Sequence, residues 1–234
     1  MNLFFAPQIA ENPLLPEQEA RHALNVLRLG AGGEIDIADG KGRFYRAIIL
    51  EPNPKRCKLE IISIEEQKPL WDNKIEIAVA PTKNIDRMEW FVEKAVEIGI
   101  DSVVFLACRY SERKEIKIER LQKVAIAAMK QSLKATLPEI GGMIDFKTFI
   151  HSEFDGQKFI AHCYPLDKEL LTTAYWKNEN VRILIGPEGD FSEEEIALAN
   201  EAGYTAISLC NSRLRTETAA LFACHSIHIL NMVK

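Results

Sequence analysis

Val181-Arg182-Ile183-Leu184-Ile185-Gly186-Pro187-Glu188-Gly189-Asp190-Phe191-Ser192 is the stretch on which the reading of this chain turns. A short apolar run, Val181–Ile185, ends in two glycines that flank Pro187-Glu188, and Ser192-x-x-Glu195 then supplies a capping box for a helix. A strand that passes through a tight turn into a helix is the repeating unit of a parallel sheet, and ligands of open α/β sheets sit beyond the carboxyl ends of the strands. The glycines allow close backbone approach, and the proline stiffens the turn. Taken alone, the loop reads first as a plain strand-to-helix turn.

The same rhythm extends through residues 74–234. Ile75–Ala80, Val103–Ala107, Lys158–Cys163 and Ala206–Leu209 are further short apolar runs, most of them followed by stretches that can be helical, as in a parallel sheet covered on both faces. Asp86-x-x-Glu89 fits a second capping box, and Met88, Phe91, Val92, Ala95 and Val96 form one apolar stripe that ends at Gly99. The last helix, about Thr216 to Met232, is apolar on more than one face, which predicts burial inside the domain or at a subunit interface. Residues 1–68 read differently. One helix over Glu17–Leu29, stopped by Gly30, precedes three strands near Glu34–Ala38, Phe44–Leu50 and Lys58–Ile64, joined by Asp39-Gly40-Lys41-Gly42 and Pro52-Asn53-Pro54, which predicts a small barrel. Glu65–Asn73 is the expected linker.

Composition narrows the function. The 234 residues are 47% hydrophobic and 27% charged, which is ordinary for a folded protein. No apolar stretch approaches the roughly 18 residues of a membrane span, and the N-terminus lacks the pattern of a signal peptide, so a cytoplasmic location is expected. Five scattered cysteines without a C-x-x-C pair argue for no metal and no disulfide framework. His225 and His228 lack a third ligand and read as core or interface residues. The net charge is −5, yet Arg109–Lys134 holds eight Lys/Arg against three Glu. Such a run can neutralise phosphates, or it can be a solvated helix face with i,i+4 pairs.

The chain has no G-x-G-x-x-G, P-loop or G-x-S-x-G signature, which removes support for nicotinamide, flavin and nucleotide-triphosphate chemistry. It has instead a second unusual segment, Leu209-Cys210-Asn211-Ser212-Arg213-Leu214-Arg215-Thr216-Glu217-Thr218-Ala219, which follows a strand and runs into the final helix. Arg213 and Arg215 there lie beside the backbone N–H groups of a helix N-terminus, a setting suited to anions. A capped helix with Thr216 as N-cap and Arg215 solvated is the plain alternative.

Together the two segments resemble the SPOUT superfamily of knotted RNA methyltransferases, and more closely its small-subunit (16S) ribosomal RNA uridine-N3 methyltransferase family, the RsmE type. The resemblance takes in His22 with Val26-Leu27-Arg28, Pro81-Thr82-Lys83, Arg87-Met88-Glu89, Glu93-Lys94-Ala95, Arg109 to Arg113, Gln131-Ser132 and Pro138-Glu139. It implies a PUA-like RNA-binding barrel over 1–68 and a SPOUT methyltransferase domain over 74–234 whose backbone forms a trefoil knot. It also implies S-adenosylmethionine as cofactor, small-subunit rRNA or the assembled subunit as substrate, and a homodimer. Carried onto this sequence, the cofactor loops are Leu184, Ile185, Gly186, Pro187, Glu188 and Gly189, then Leu209, Cys210, Asn211 and Leu214, with His162 and Cys163 as a third wall. Asp190 and Cys210 stand where the family usually has glycine, and Lys130 and Lys134 where it usually has Glu and Arg.

Loss of the uracil N3 proton must accompany attack on the methyl group, so catalysis needs positioning and stabilisation of developing negative charge. Arg215 is the first candidate for the charge role. Glu217 or Glu188 could accept the proton, or serve as a helix N-terminal carboxylate and a loop-fixing acceptor respectively. Arg28, Arg43 and Arg46 of the barrel, with Arg109, Arg113, Lys114 and Lys117 of the basic run, are the expected RNA contacts. Methylation of a ribose 2′-oxygen or another base, and a non-enzymatic RNA-binding assembly factor, are the competing readings.

Overall fold

Along residues 45–49, Tyr45, Ala47 and Ile49 are buried while Arg46 faces solvent, the period of two that a half-buried strand requires. The computed structural model, which describes residues 2–233, places this segment in the first of two units, built from the chain up to Pro69 together with Ile126–Leu137. Its elements are β1 (Leu3–Phe5), β2 (Leu14–Leu15), α1 (Glu17–Arg21), β3 (Glu34–Ala38), β4 (Arg43–Glu51) and β5 (Cys57–Glu66). They form one open sheet in the order β1-β3-β4-β5-β2, a half-barrel of PUA type rather than a closed one. Phe4, Ile9, Leu15, Ile37, Tyr45 and Ile49 fill its core. The tight turn at Asp39 holds because its buried carboxylate accepts hydrogen bonds from Lys41 N (2.7 Å) and Arg43 N (3.1 Å).

The first helix ends earlier than its sequence predicts. After α1 the chain makes a π-helical turn over His22–Val26, and Arg28 at φ 58° stops it. Leu29 N then bonds back to Ala23 O (3.0 Å), so Arg28 holds the left-handed closing position that glycine usually takes, and Gly30 is not the stop.

The second unit comprises Leu70–Ala125 and the chain from Pro138. Its elements are β6 (Ile75–Val79), α2 (Ile85–Ile98), β7 (Ser102–Ala107), α3 (Ile118–Gln131), β8 (Glu139–Asp145), α4 (Phe146–Ile150), β9 (Gln157–Ala161), β10 (Glu169–Leu170), α5 (Leu171–Ala174), β11 (Val181–Ile185), α6 (Glu193–Glu201), β12 (Thr205–Ser208) and α7 (Thr216–Met232). The last turns of α3 cluster with the first unit. All pairings in the seven-stranded sheet β10-β12-β9-β11-β6-β7-β8 are parallel. One face buries Val104, Leu106, Phe146, Leu184 and Phe191 with α4 and α6. On α2 the predicted stripe is buried, and α2 packs against α7.

Two local signals resolve differently from expectation. The α2 cap is Asn84, whose side chain accepts from Asp86 N (3.0 Å), and Glu89 instead pairs with Arg120, so Asp86-x-x-Glu89 is not a capping box. Within the expected linker, Trp71 is fixed by donating its indole N–H to Asp101 Oδ2 (2.9 Å). Arg182, the one charge in the apolar run of β11, is buried against Glu76 and lies 4.5 Å from the ring centres of both Phe149 and Phe154.

Candidate active site

Strand register sets the geometry. Ala161, the last residue of β9, pairs with Ile185 at the end of β11 on one side and with Ile207 of β12 on the other. The two loops singled out by sequence therefore leave the strands on either side of β9 at the same level, and His162 emerges between them. Ile185 also pairs with Val79 of β6, which brings Pro81-Thr82-Lys83 to the same edge.

The first loop is held from every side. Pro187 O accepts from Asp190 N (2.9 Å), closing the turn. Asp190 adopts φ 67°, a left-handed conformation that Asp tolerates, and its carboxylate takes bonds from Phe191 N (2.8 Å) and Cys163 N (2.7 Å). Where a second glycine is usual, this chain thus keeps the backbone shape and adds a tether to the end of β9. Glu188 Oε1 accepts from Lys83 N (3.0 Å), which places this carboxylate as a loop-fixing acceptor. Both glycines are closely packed: a Cβ on Gly186 would lie 3.1 Å from Phe191, and one on Gly189 would lie 3.0 Å from Tyr110 Cβ. The predicted Ser192–Glu195 capping box forms. Its Glu195 also accepts from Arg109 N (2.8 Å), tying the start of α6 to the loop after β7.

The second loop delivers α7 to the same place. Arg215 itself is the N-cap, extended and without a side-chain capping bond, so Thr216 is not the cap that the plain alternative reading makes it. Thr216 instead donates its hydroxyl to Gly186 O (3.1 Å), joining the two loops. The Arg215 side chain is exposed. Glu217 is buried in the first turn of α7, with Oε1 3.7 Å from Arg87 Nε and Oε2 without a partner. Cys210 is not among the residues with positive φ, so its backbone conformation does not call for glycine. Its thiol points back to Ser212 O (3.4 Å), and Ser208 donates to Cys210 O (3.2 Å). Leu209, Cys210 and Leu214 are partly buried, Asn211 is exposed, and Leu184, Ile185, Gly186 and Pro187 are buried.

The third wall carries the most unusual group. His162 is only 6% exposed, and neither ring nitrogen has a hydrogen-bond partner. Burial, assisted by the positive charge of Lys168 and opposed by Asp190, lowers its pKa. Burial and the adjacent Asp190 raise that of the Cys163 thiol, which disfavours a nucleophilic thiolate.

Of the expected RNA contacts, several are already engaged. Arg113 donates to the carbonyls of Thr82 (3.1 Å) and Lys83 (2.5 Å), fixing the loop that holds Glu188. Arg109 pairs with Glu194, Arg43 with Glu66 and Arg46 with Glu34. Lys114, Lys117 and Arg28 are exposed. Lys130, one of the residues that departs from the family pattern, makes a two-pronged ion pair with Glu19 (2.7 and 2.8 Å). Asp190, Lys83, Thr216 and Tyr110 were not read as site-forming from sequence, because their roles arise from strand register and not from local pattern.

Residues 69–228 match the family model of an RNA methyltransferase domain, and residues 15–62 that of an RNA methyltransferase PUA domain. A half-barrel joined to a parallel α/β unit with two convergent loops defines the class: an RNA methyltransferase with a PUA domain. Within that class, the ribosomal RNA small subunit methyltransferase E of Mesomycoplasma hyopneumoniae is 30% identical over 95% of this chain and 96% of its own. The crystal structure of a probable rRNA-methyltransferase from Porphyromonas gingivalis superposes with a TM-score of 0.94 at 44% identity, covering 99% of this chain and 98% of that one. That of a ribosomal RNA small subunit methyltransferase E from Neisseria gonorrhoeae, bound to S-adenosyl methionine, superposes at 0.85 with 28% identity and 98% coverage of both. The chain belongs to the ribosomal RNA small subunit methyltransferase E family.

Proposed function

We propose that this chain methylates N3 of a specific uridine in small-subunit (16S) ribosomal RNA with S-adenosylmethionine, as a cytoplasmic homodimer, the RNA being free or in the assembled subunit. In this reading residues 1–68 contact RNA and residues 74–234 carry the chemistry. The observation that supports it best is the convergence of both loops and His162 at one level of the sheet edge. Two features fit the cofactor: a backbone cradle at Gly186 and Gly189 in which any Cβ would crowd its neighbours, and a buried histidine with unpaired ring nitrogens. Leu184–Gly189, Leu209–Asn211, Leu214 and the His162–Cys163 strand end would hold it.

The bound cofactor supplies a methyl group on a positively charged sulfur, an electrophile that needs no metal. The protein's part is to place the uracil N3 in line with it and to favour the deprotonated ring. The exposed, unpaired guanidinium of Arg215, on the residue that starts α7, is suited to the negative charge on N3, O2 and O4. Glu188 is committed to Lys83 N, so Glu217, whose Oε2 is unpaired, is the better candidate to receive the proton. The trefoil knot belongs to the same reading. From β12 the chain must cross the ends of β9 and β11 to pack α7 against β6 and α2. For the dimer, Phe222 and Ile229 are exposed apolar residues on one face of α7, and Val233 just past its end is exposed as well.

Calorimetry of the full chain tests the cofactor assignment. A dissociation constant of about 1 μM, near −8 kcal/mol, is expected. Absence of heat and of thermal shift at millimolar cofactor would favour an RNA-binding assembly factor instead.

A further inference from the structure

Residues 108–111, in the loop after β7, make a turn that is closed twice. Ser111 N donates to Cys108 O (3.1 Å), and the hydroxyl of the buried Ser111 accepts from Cys108 N (3.0 Å). The two central residues, Arg109 and Tyr110, are both exposed, and Arg109 N is held by Glu195 Oε1 at the start of α6 (2.8 Å). Tyr110 keeps 46% of its surface in solvent although its Cβ packs so closely on the first loop that a methyl group at Gly189 would come within 3.0 Å of it. The Arg109 guanidinium lies 5.8 Å from the centre of the Tyr110 ring. A tyrosine fixed at its base on a locked turn and left open at its ring fills no core. It is arranged as a rigid surface for another flat group.

We propose that the Tyr110 ring stacks on the methyl-accepting uracil and holds it beside the first loop. The inference rests on reading this chain as a uridine-N3 methyltransferase. N3 lies on the edge that uracil uses in a base pair, so the base must leave its pair and its stack before the methyl group can reach it. A pyrimidine taken out of the RNA loses both neighbours, and an aromatic face on the protein replaces one of them. Stacking uses only the face of the ring, which leaves N3, O2 and O4 free for the chemistry. The position fits. Tyr110 lies against Gly189 at one end of the first loop, and Gly186 at its other end accepts the hydroxyl of Thr216, the residue after Arg215. One short turn therefore joins the cofactor loop, the charge-stabilising candidate and the exposed ring.

Steady-state methylation of unmodified small-subunit rRNA or subunits, together with calorimetry of S-adenosylhomocysteine, separates stacking from loop packing in the full chain. Tyr110→Leu keeps the Cβ against Gly189 and the apolar bulk but removes the aromatic face. It should lower kcat/KM for the RNA by about 10-fold or more, with S-adenosylhomocysteine affinity within about 2-fold of the wild type. Tyr110→Phe and Tyr110→Trp should stay within about 3-fold of the wild-type kcat/KM. A leucine variant as active as the phenylalanine variant overturns the inference. So does one that loses S-adenosylhomocysteine binding along with activity, since Tyr110 would then only pack the loop. The wild type gives a second readout. Ultraviolet irradiation of its complex with rRNA transcribed with 5-iodouridine should crosslink the RNA to Tyr110, because a stacked ring holds the reactive carbon against it. Crosslinks formed only at other residues overturn the inference, even if the leucine variant fails to fold. A wild type that binds S-adenosylhomocysteine and RNA yet transfers no methyl group overturns the methyltransferase reading itself, and the inference with it.

Discussion

Arg215 and the two candidate carboxylates now separate by what each side chain touches. Arg215 caps α7 with backbone alone, so its side chain is free for charge stabilisation and contributes little to the fold. Arg215→Ala should lower single-turnover methyl transfer at saturating cofactor by about 100-fold, about 3 kcal/mol, with an unchanged melting temperature. Lysine should restore part of the rate, because it keeps the charge and loses the planar fork. A joint loss of stability and cofactor binding would make Arg215 an anchor instead. Glu188→Gln preserves the acceptor for Lys83 N and should keep activity within about 3-fold, whereas a general base would not survive that change. His162 adds a pH signature. Its folded pKa lies below the ordinary value of about 6.5, so the unfolded chain takes up its proton first. This group leaves stability untouched above that pH and lowers it as pH falls below, and cofactor affinity should fall only at still lower pH. A His162→Gln variant should lack that step in a titration of affinity against pH. The residues quoted from sequence were legible because their types carry chemistry. Asp190 reads from sequence only as a departure from the family pattern, and its tether to Cys163 N arises from the fold.

At the scale of elements, the strands and helices that carry the site follow from local pattern, and the exceptions have physical causes. Val181–Ile185, the Ser192 cap and Thr216–Met232 lie where periodicity and capping chemistry put them. β8 leaves no strand signal in sequence because Gly141-Gly142 interrupts any apolar run, and β10 leaves none because two residues make no pattern. The close packing of the first loop gives a direct test. Gly189→Ala pushes a methyl group to 3.0 Å from Tyr110 Cβ and should weaken cofactor binding by about 10-fold, with a loss of about 1–3 kcal/mol in a denaturant melt. Full tolerance of the alanine would mean that the loop is not a tight cradle. The basic run also divides. Lys114→Ala with Lys117→Ala should weaken RNA binding and reduce the salt slope by about 1–2 while leaving cofactor affinity alone. Arg113→Ala, which frees the loop at Thr82 and Lys83, should instead weaken cofactor binding. Identical behaviour of all three in a cofactor titration would refute that division.

At the scale of the whole molecule, composition and rhythm read as a β-rich start and a parallel α/β remainder; the two family models match residues 15–62 and 69–228, the second beginning inside the stretch expected as linker. The return of Ile126–Leu137 to the first unit was invisible in sequence, since a helix that runs from one unit into the other keeps one periodicity throughout. The knot and the dimer were likewise matters of resemblance, because neither chain crossings nor partner faces leave a local pattern. One chemical product is expected. Labelled S-adenosylmethionine, the purified protein and unmodified small-subunit rRNA or subunits should yield label in the RNA. Nucleoside analysis should then recover it as uridine methylated at N3. Label on a ribose 2′-oxygen or on another base, or no transfer by a protein shown to bind the cofactor and RNA, would contradict it.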